Sequence, residues 1–217
     1  MKKFVFIILI GLVNNYTSYS QSTNKNLQIV DSLSAVKAKL ERDSMENIFL
    51  SKATYPLIKS SKWSGVIPVP DINEKPDINQ QYKLLMEVTT GIKDSIEAKD
   101  INAALAEVGR LINIHIAAGI PKKNLDVIVV AHGGILKSFY NNAVYKEKYH
   151  VDNPNIKLFD ELQAVGVKFI ACGQAMYFFK VNKEEMLPWM RVALSAQTVM
   201  TNYQLKGYLL KNINTDK

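Results

Sequence analysis

Asp126-Val127-Ile128-Val129-Val130-Ala131-His132-Gly133-Gly134 is the stretch that decides the fold. Val127 to Val130 is apolar without alternation, so a strand here must be covered on both faces. Such strands belong to parallel sheets that carry helices above and below. The run then stops at a histidine and two glycines, as a buried strand does where it reaches the sheet edge. On its N-terminal side, Lys83 to Thr89 reads as a first strand with Leu84, Leu85, Met86 and Val88 inside it. Between the two, Ile101, Leu105, Val108, Leu111, Ile112 and Ile116 recur at helical spacing, which predicts a helix from about Ile96 to Ala118. Gly119 and Pro121 stop it.

Beyond the second strand, the pattern predicts a helical piece over Ile135 to Lys148. A helix opened by Asn153 and Pro154 and closed by Gly166 follows. Val167 to Ala171 and Met190 to Leu194 read as the third and fourth strands. A last helix from Gln197 to Leu210 precedes a polar tail. Alternating strands and helices of this kind make an α/β domain over residues 81–217, with a mainly parallel sheet between two helical layers. Right-handed crossovers bring the C-terminal ends of all its strands to one edge, where ligand sites of open sheets lie.

That edge can be read residue by residue. It holds Thr89 and Thr90, then His132, Gly133 and Gly134, then Cys172, Gly173 and Gln174, then Ser195 and Gln197. Cys172 is the chain's one cysteine, so no internal disulfide can form. At a strand end before a glycine it reads either as a reactive thiol or as a small apolar residue completing the core. Backbone N–H groups around Gly173 and Gln174 would favour the thiolate, the nucleophilic form. His132 reads either as a base or ion-pair partner for that thiolate, or as a side chain that pins a loop. Gly133 and Gly134 could form an anion nest. His115 lies on the long helix and His150 in a loop, so no spacing supplies the three or four ligands of a zinc site, and no metal is expected. Phosphate-loop, dinucleotide and nucleophile-elbow motifs are missing, and no cofactor is expected. Tyr177, Phe178, Phe179 and Trp189 read as core or subunit interface.

These residues together resemble the DsrE/DsrF-like family. Val127 to Gly133 resembles its second strand with a trailing His-Gly. Phe159-Asp160-Glu161-Leu162 through Gly166-Val167 resembles the helix leading into the third strand. Ala171-Cys172-Gly173-Gln174 resembles its cysteine motif, and Leu187-Pro188 through Gln204-Leu205-Lys206-Gly207-Tyr208 its C-terminal strand and helix. The resemblance spans Tyr82 to Leu210. It implies a flavodoxin-like three-layer α/β/α fold, assembly into homotrimers or hexamers, and a persulfide carried on Cys172. The implied partner is a sulfur donor or acceptor protein, or a small sulfur compound. The alternative is a non-catalytic small-ligand-binding or assembly module in which Cys172 is structural.

The N-terminal region adds a compartment. Lys2 and Lys3, the apolar run Phe4 to Val13, and Ser18-Tyr19-Ser20 read as a signal peptide over residues 1–20, leaving Gln21 first. The run is about half the roughly 20 residues of a spanning helix, so no membrane anchor is expected after cleavage. The product is expected to be exported, either periplasmic or secreted. Family members best understood in sulfur traffic work in the cytoplasm, so a cytoplasmic relay is not expected. Residues 21–80 form an extension: a helix over Leu27 to Leu50, then a segment punctuated by Pro56, Pro68, Pro70 and Pro76. That segment is too apolar for a free linker and is expected to lie across the domain. The formal net charge is +7, but the charges are scattered rather than clustered, and no nucleic-acid partner is expected.

Overall fold

The computed structural model describes residues 31–213, so the expected signal peptide and the expected helix start at Leu27 lie outside the described residues. The chain divides into two units, one ending at Ser51 and the other beginning at Lys52. Residues 31–52 are helical (α1), and the helix makes up the described part of the first unit and ends on the first residue of the second. In the second, β1 (Tyr82–Val88), α2 (Ala103–Ala117), β2 (Leu125–Ala131), α3 (Asn142–Tyr149) and α4 (Ile156–Ala164) follow in order. Then come β3 (Lys168–Cys172), α5 (Gly173–Phe179), β4 (Arg191–Ala193), α6 (Ala196–Leu205) and β5 (Leu209–Ile213). Among the described residues the strands form one sheet, ordered β4-β3-β2-β1-β5. Every pairing in it is parallel.

Strand order and crossover handedness together fix the layers. From β1 to β4 each new strand is added on the same side, so right-handed connections put their helices on one face. From β4 the chain returns past β1 to place β5 on the opposite side, and the same handedness puts α6 on the other face. The cores divide accordingly. Leu84, Met86, Val88, Val127, Val129 and Ala131 pack with Leu105, Ile112, Phe139 and Phe159. Leu85, Ile128, Val130, Ile170 and Cys172 pack with Ala196, Val199 and Met200 of α6. The alternation along β1 and β2 thus feeds two separate apolar layers, as an uninterrupted apolar strand requires.

Residues 54–66 belong to the first of these layers. Ile58 is fully buried in it. Asn113 of α2, also fully buried, clamps the segment through four hydrogen bonds. Its Oδ1 accepts from Leu57 N–H at 2.9 Å and Ile58 N–H at 3.0 Å. Its Nδ2 donates to Ile58 C=O at 2.8 Å and Ser64 C=O at 2.7 Å. Thr54 and Val66 pair as an antiparallel bridge that closes the loop. A Cβ on Gly109 would meet the Ser64 Oγ at 2.6 Å, so the glycine lets this segment lie directly on α2.

Several element boundaries differ from the sequence expectation. The long helix starts at Ala103 rather than Ile96, because the Asn102 side chain accepts from Ala104 N–H and caps it. The helical piece expected over Ile135 to Lys148 is a tight 3₁₀ stretch, Gly133–Phe139, followed by α3. Asn153 does not cap α4. Its Nδ2 donates to Ser138 and Tyr140 C=O, and the helix begins at Ile156. The last helix ends at Leu205, and Leu209–Ile213 forms the fifth strand where the sequence predicted helix and polar tail. As an edge strand, β5 exposes Leu209, Lys211 and Asn212, which hides the apolar signature of a buried parallel strand.

Candidate functional site

The C-terminal sheet edge gathers the expected residues on two neighbouring strands. Cys172 ends β3, and its backbone pairs with Ala193 of β4. Ala171 pairs with Ala131, so the register carries one step further to His132 beside Cys172. Strands in a sheet are about 4.8 Å apart. Side chains two residues apart share a face. His132 therefore follows Ile128 and Val130, and Cys172 follows Ile170, onto the face covered by α6.

A third residue joins them there. Glu87 follows Leu85 on the same face of β1, and its Oε1 lies 2.7 Å from His132 Nε2. The Glu87 side chain is 13% exposed and that of His132 28% exposed. Sequence reading missed Glu87, because one acid in an apolar strand resembles a solvated position. The available signal was parity, which puts it in line with buried Leu85.

The thiol itself is largely enclosed, since Cys172 is 5% exposed. It occupies the N-cap position of α5, where its Sγ accepts from Ala175 N–H at 3.4 Å. Of the N–H groups expected around Gly173 and Gln174, the one that reaches Sγ is that of Ala175. Gln174 N–H is already committed to Leu194 C=O at 3.1 Å, and the Gln174 side chain points to solvent. Gly173 serves packing: a Cβ there would lie 2.9 Å from Ala193 C=O, so only glycine lets β4 pass this closely.

The double glycine has a similar role. A Cβ on Gly91 would lie 2.5 Å from the Gly134 carbonyl carbon, and one on Gly134 would lie 3.2 Å from Gly91 Cα. Gly133 takes φ +72°, a left-handed conformation that favours glycine. His132 N–H donates to Val88 C=O and Ile135 N–H to Thr89 C=O. Gly133 and Gly134 thus seat the loop after β2 against the loop after β1, backbone on backbone. Close packing calls for Gly134, and the left-handed backbone calls for Gly133.

The other histidines lie elsewhere. His115 bonds Leu111 C=O from α2 and packs against Tyr82, at the start of β1. His150 closes α3 with φ +61°. Among the described residues no three His, Cys, Asp or Glu side chains gather as a metal site. The aromatic residues after Cys172 separate into two groups. Trp189 packs with Phe139, Phe159 and Phe169, while Tyr177 and Phe178 are 82% and 76% exposed.

The sequence profile of the DsrE/DsrF-like family matches residues 83–211, from β1 into β5. The chain belongs to the DsrE/DsrF-like family. The matched span contains Glu87, His132 and Cys172, while residues 54–66 that pack on α2 lie before it. No curated protein matches the chain. Among solved structures, it is similar to the protein of unknown function MTH1491 from Methanobacterium thermoautotrophicum. That similarity is 15% in identity with a TM-score of 0.42, over 60% of this chain and 98% of the other.

Proposed function

We propose that this DsrE/DsrF-like protein is exported and carries sulfur as a persulfide on Cys172. The observation that supports this most is the placement of its one cysteine at the end of β3, one strand from His132 and on the same sheet face. In the transfer step, the Cys172 thiolate attacks the outer sulfur of a persulfide donor, R–S–SH. A bond forms between Sγ and that sulfur, the donor S–S bond breaks, and its electron pair leaves on R–S⁻. His132 takes the Cys172 thiol proton and returns it to R–S⁻. The products are Cys172–S–SH and R–SH, and attack by an acceptor thiolate on the carried sulfur releases it in turn. Because Sγ is nearly enclosed, loading requires a local opening around the first turn of α5. Export removes residues 1–20 and leaves Gln21 first. Tyr177 and Phe178, with Leu194 at 73% exposure, supply an apolar surface for assembly into a trimer or hexamer.

The test is mass spectrometry on the mature protein after incubation with a polysulfide donor. Gain of one sulfur atom, lost in Cys172→Ser, is the expected result. A thiol that resists both alkylation and sulfur uptake in the folded protein would end this proposal. A second reading, a ligand-binding or assembly module with a structural cysteine, draws on the low exposure of Cys172. A cleft of about 580 Å³ at the same sheet edge also favours it, lined by Ser60, Trp63, Gly91, Lys93 and Asn102. Under that reading Cys172→Ser leaves assembly and ligand binding unchanged.

A further inference from the structure

We propose that Glu87 is a positioning residue that fixes the tautomer of His132 and thereby directs proton transfer at Cys172. This rests on the sulfur-carrier reading of the same site. Glu87 is the one acid in β1, set among Leu84, Leu85, Met86 and Val88, which are at most 3% exposed. A carboxylate so placed costs stability unless it is paired. Its partner is His132 Nε2, at 2.7 Å. Ionised carboxylate oxygens only accept, so the ring hydrogen resides on Nε2 and Nδ1 carries the lone pair of the neutral imidazole. Nδ1 is then the basic nitrogen of the ring, and in this proposal it takes the thiol proton when the opening around the first turn of α5 brings Sγ, bonded to Ala175 N–H in the closed state, within its reach. The arrangement runs carboxylate, imidazole, thiol across three consecutive strands, β1, β2 and β3.

Few other charges compete for this role among the described residues. The register places uncharged Asn212 of β5 beside Glu87. Arg191 of β4 lies opposite Ile170 and is exposed. The only titratable residue on α6 is Tyr203, which packs on Tyr208. Tyr208 in turn bonds Asp126, near the start of β2 and at the far end of the sheet. Nothing in that group can substitute for Glu87 at the imidazole.

The experiment combines ¹⁵N NMR of the His132 ring with two rates on the full mature protein. These are Cys172 alkylation by iodoacetamide and sulfur uptake from inorganic polysulfide. The native protein is expected to show the Nε2–H tautomer. Glu87→Leu, close in size and suited to an apolar strand, is expected to mix the tautomers and slow both rates by about tenfold or more. In a His132→Ala background the same substitution is expected to have no further effect. Glu87→Gln provides a check that does not depend on the leucine variant folding. Its amide can accept from or donate to Nε2, and the rates must follow whichever tautomer results. Unchanged tautomer and rates in Glu87→Leu, an equal loss without His132, or rates in Glu87→Gln that ignore the tautomer would overturn the proposal. If the native protein takes up no sulfur, the carrier function fails, and alkylation alone still decides the role of Glu87.

Discussion

Replacing Asn113 with alanine should both destabilise the domain and loosen residues 54–66. The side chain is fully buried and satisfies four backbone groups: two N–H donors at Leu57 and Ile58, and two carbonyls at Ile58 and Ser64. A buried polar group left without a partner costs about 1–3 kcal/mol. Four such groups at the low end of that range total about 4 kcal/mol, and water entering the vacated space recovers part of it. A net loss of about 3 kcal/mol or more is therefore expected, equivalent to a fall in Tm of about 6–12 °C for a domain of this size. The segment has one cheaper escape, which is to detach. That exposes Ile58, whose burial is worth about 1.5–3 kcal/mol, and offers Lys59 and Lys62 to trypsin. Urea unfolding followed by fluorescence measures the global loss, and timed trypsin digestion measures detachment. A variant that loses less than about 1 kcal/mol and is cleaved no faster at these lysines would refute the view that Asn113 holds the segment to α2.

Four further outcomes are expected. Gly109→Ala gains about 1 kcal/mol in helix propensity, yet its Cβ would lie 2.6 Å from Ser64 Oγ and 2.9 Å from Ile58 Cγ2. Thermal melting should therefore show a net loss of about 1–2 kcal/mol. Cys172→Ser should cost under about 1 kcal/mol in chemical denaturation, because serine can take the helix-cap bond from Ala175 N–H, while sulfur loading is abolished. Tyr140 is pushed up to about 12 by burial, with Glu185 and Tyr149 adding to the shift. Burial pushes Tyr145 up as well. Folded tyrosines thus hold their protons where unfolded ones, near 10, have lost them. Stability from these residues is then complete below about pH 10 and falls as pH rises toward 12, which melts at stepped pH with phenolate absorbance would check. Changing Tyr177 and Phe178 together to serine should lower the mass seen by light scattering if this surface joins copies, and leave it unaltered if the surface is free.

What the sequence made legible, and what it hid, follows from how far apart the responsible groups lie along the chain. Val127 to Val130 reveals a covered parallel strand because four adjacent residues carry the signal by themselves. Strand β5, on the far side of β1, carries no such signal: it is an edge strand, and exposed Lys211 and Asn212 interrupt the apolar pattern. The start of α2 was obscured because Ile96 and Ile101 continue a helical period through a stretch where side chains have captured the backbone. Asp94 Oδ1 accepts from Ile96 and Glu97 N–H, and Asn102 caps the helix behind them. Local periodicity cannot register that competition.

The site divides along the same line. Cys172 and His132 could be placed at one sheet edge, since strand ends and crossover handedness suffice for that. The work of the glycines could not. Gly134 is shaped by Gly91, and Gly173 by the carbonyl of Ala193, contacts that exist only once the strands are side by side. Beyond the anion cradle expected of the double glycine, Gly134 lets backbones meet. Glu87 was hidden for the opposite reason, because its meaning depends on which face of β1 it shares. That face is decided by β5. Had the chain continued past β4 in the same direction, right-handed crossovers would have kept every helix on one side. Because it turns back past β1, α6 is the one helix that the described residues of the second unit place on the opposite face, crossing it from its start beside Ala193 and Ser195. A helix is about 10 Å across and five strands span about twice that, so one helix leaves part of the face uncovered. Glu87 and His132 lie on this face at the edge of the sheet and keep partial exposure, while Cys172 is closed off by the turn into α5. The position of the pair, and its access to solvent beside an enclosed thiol, are consequences of the strand order.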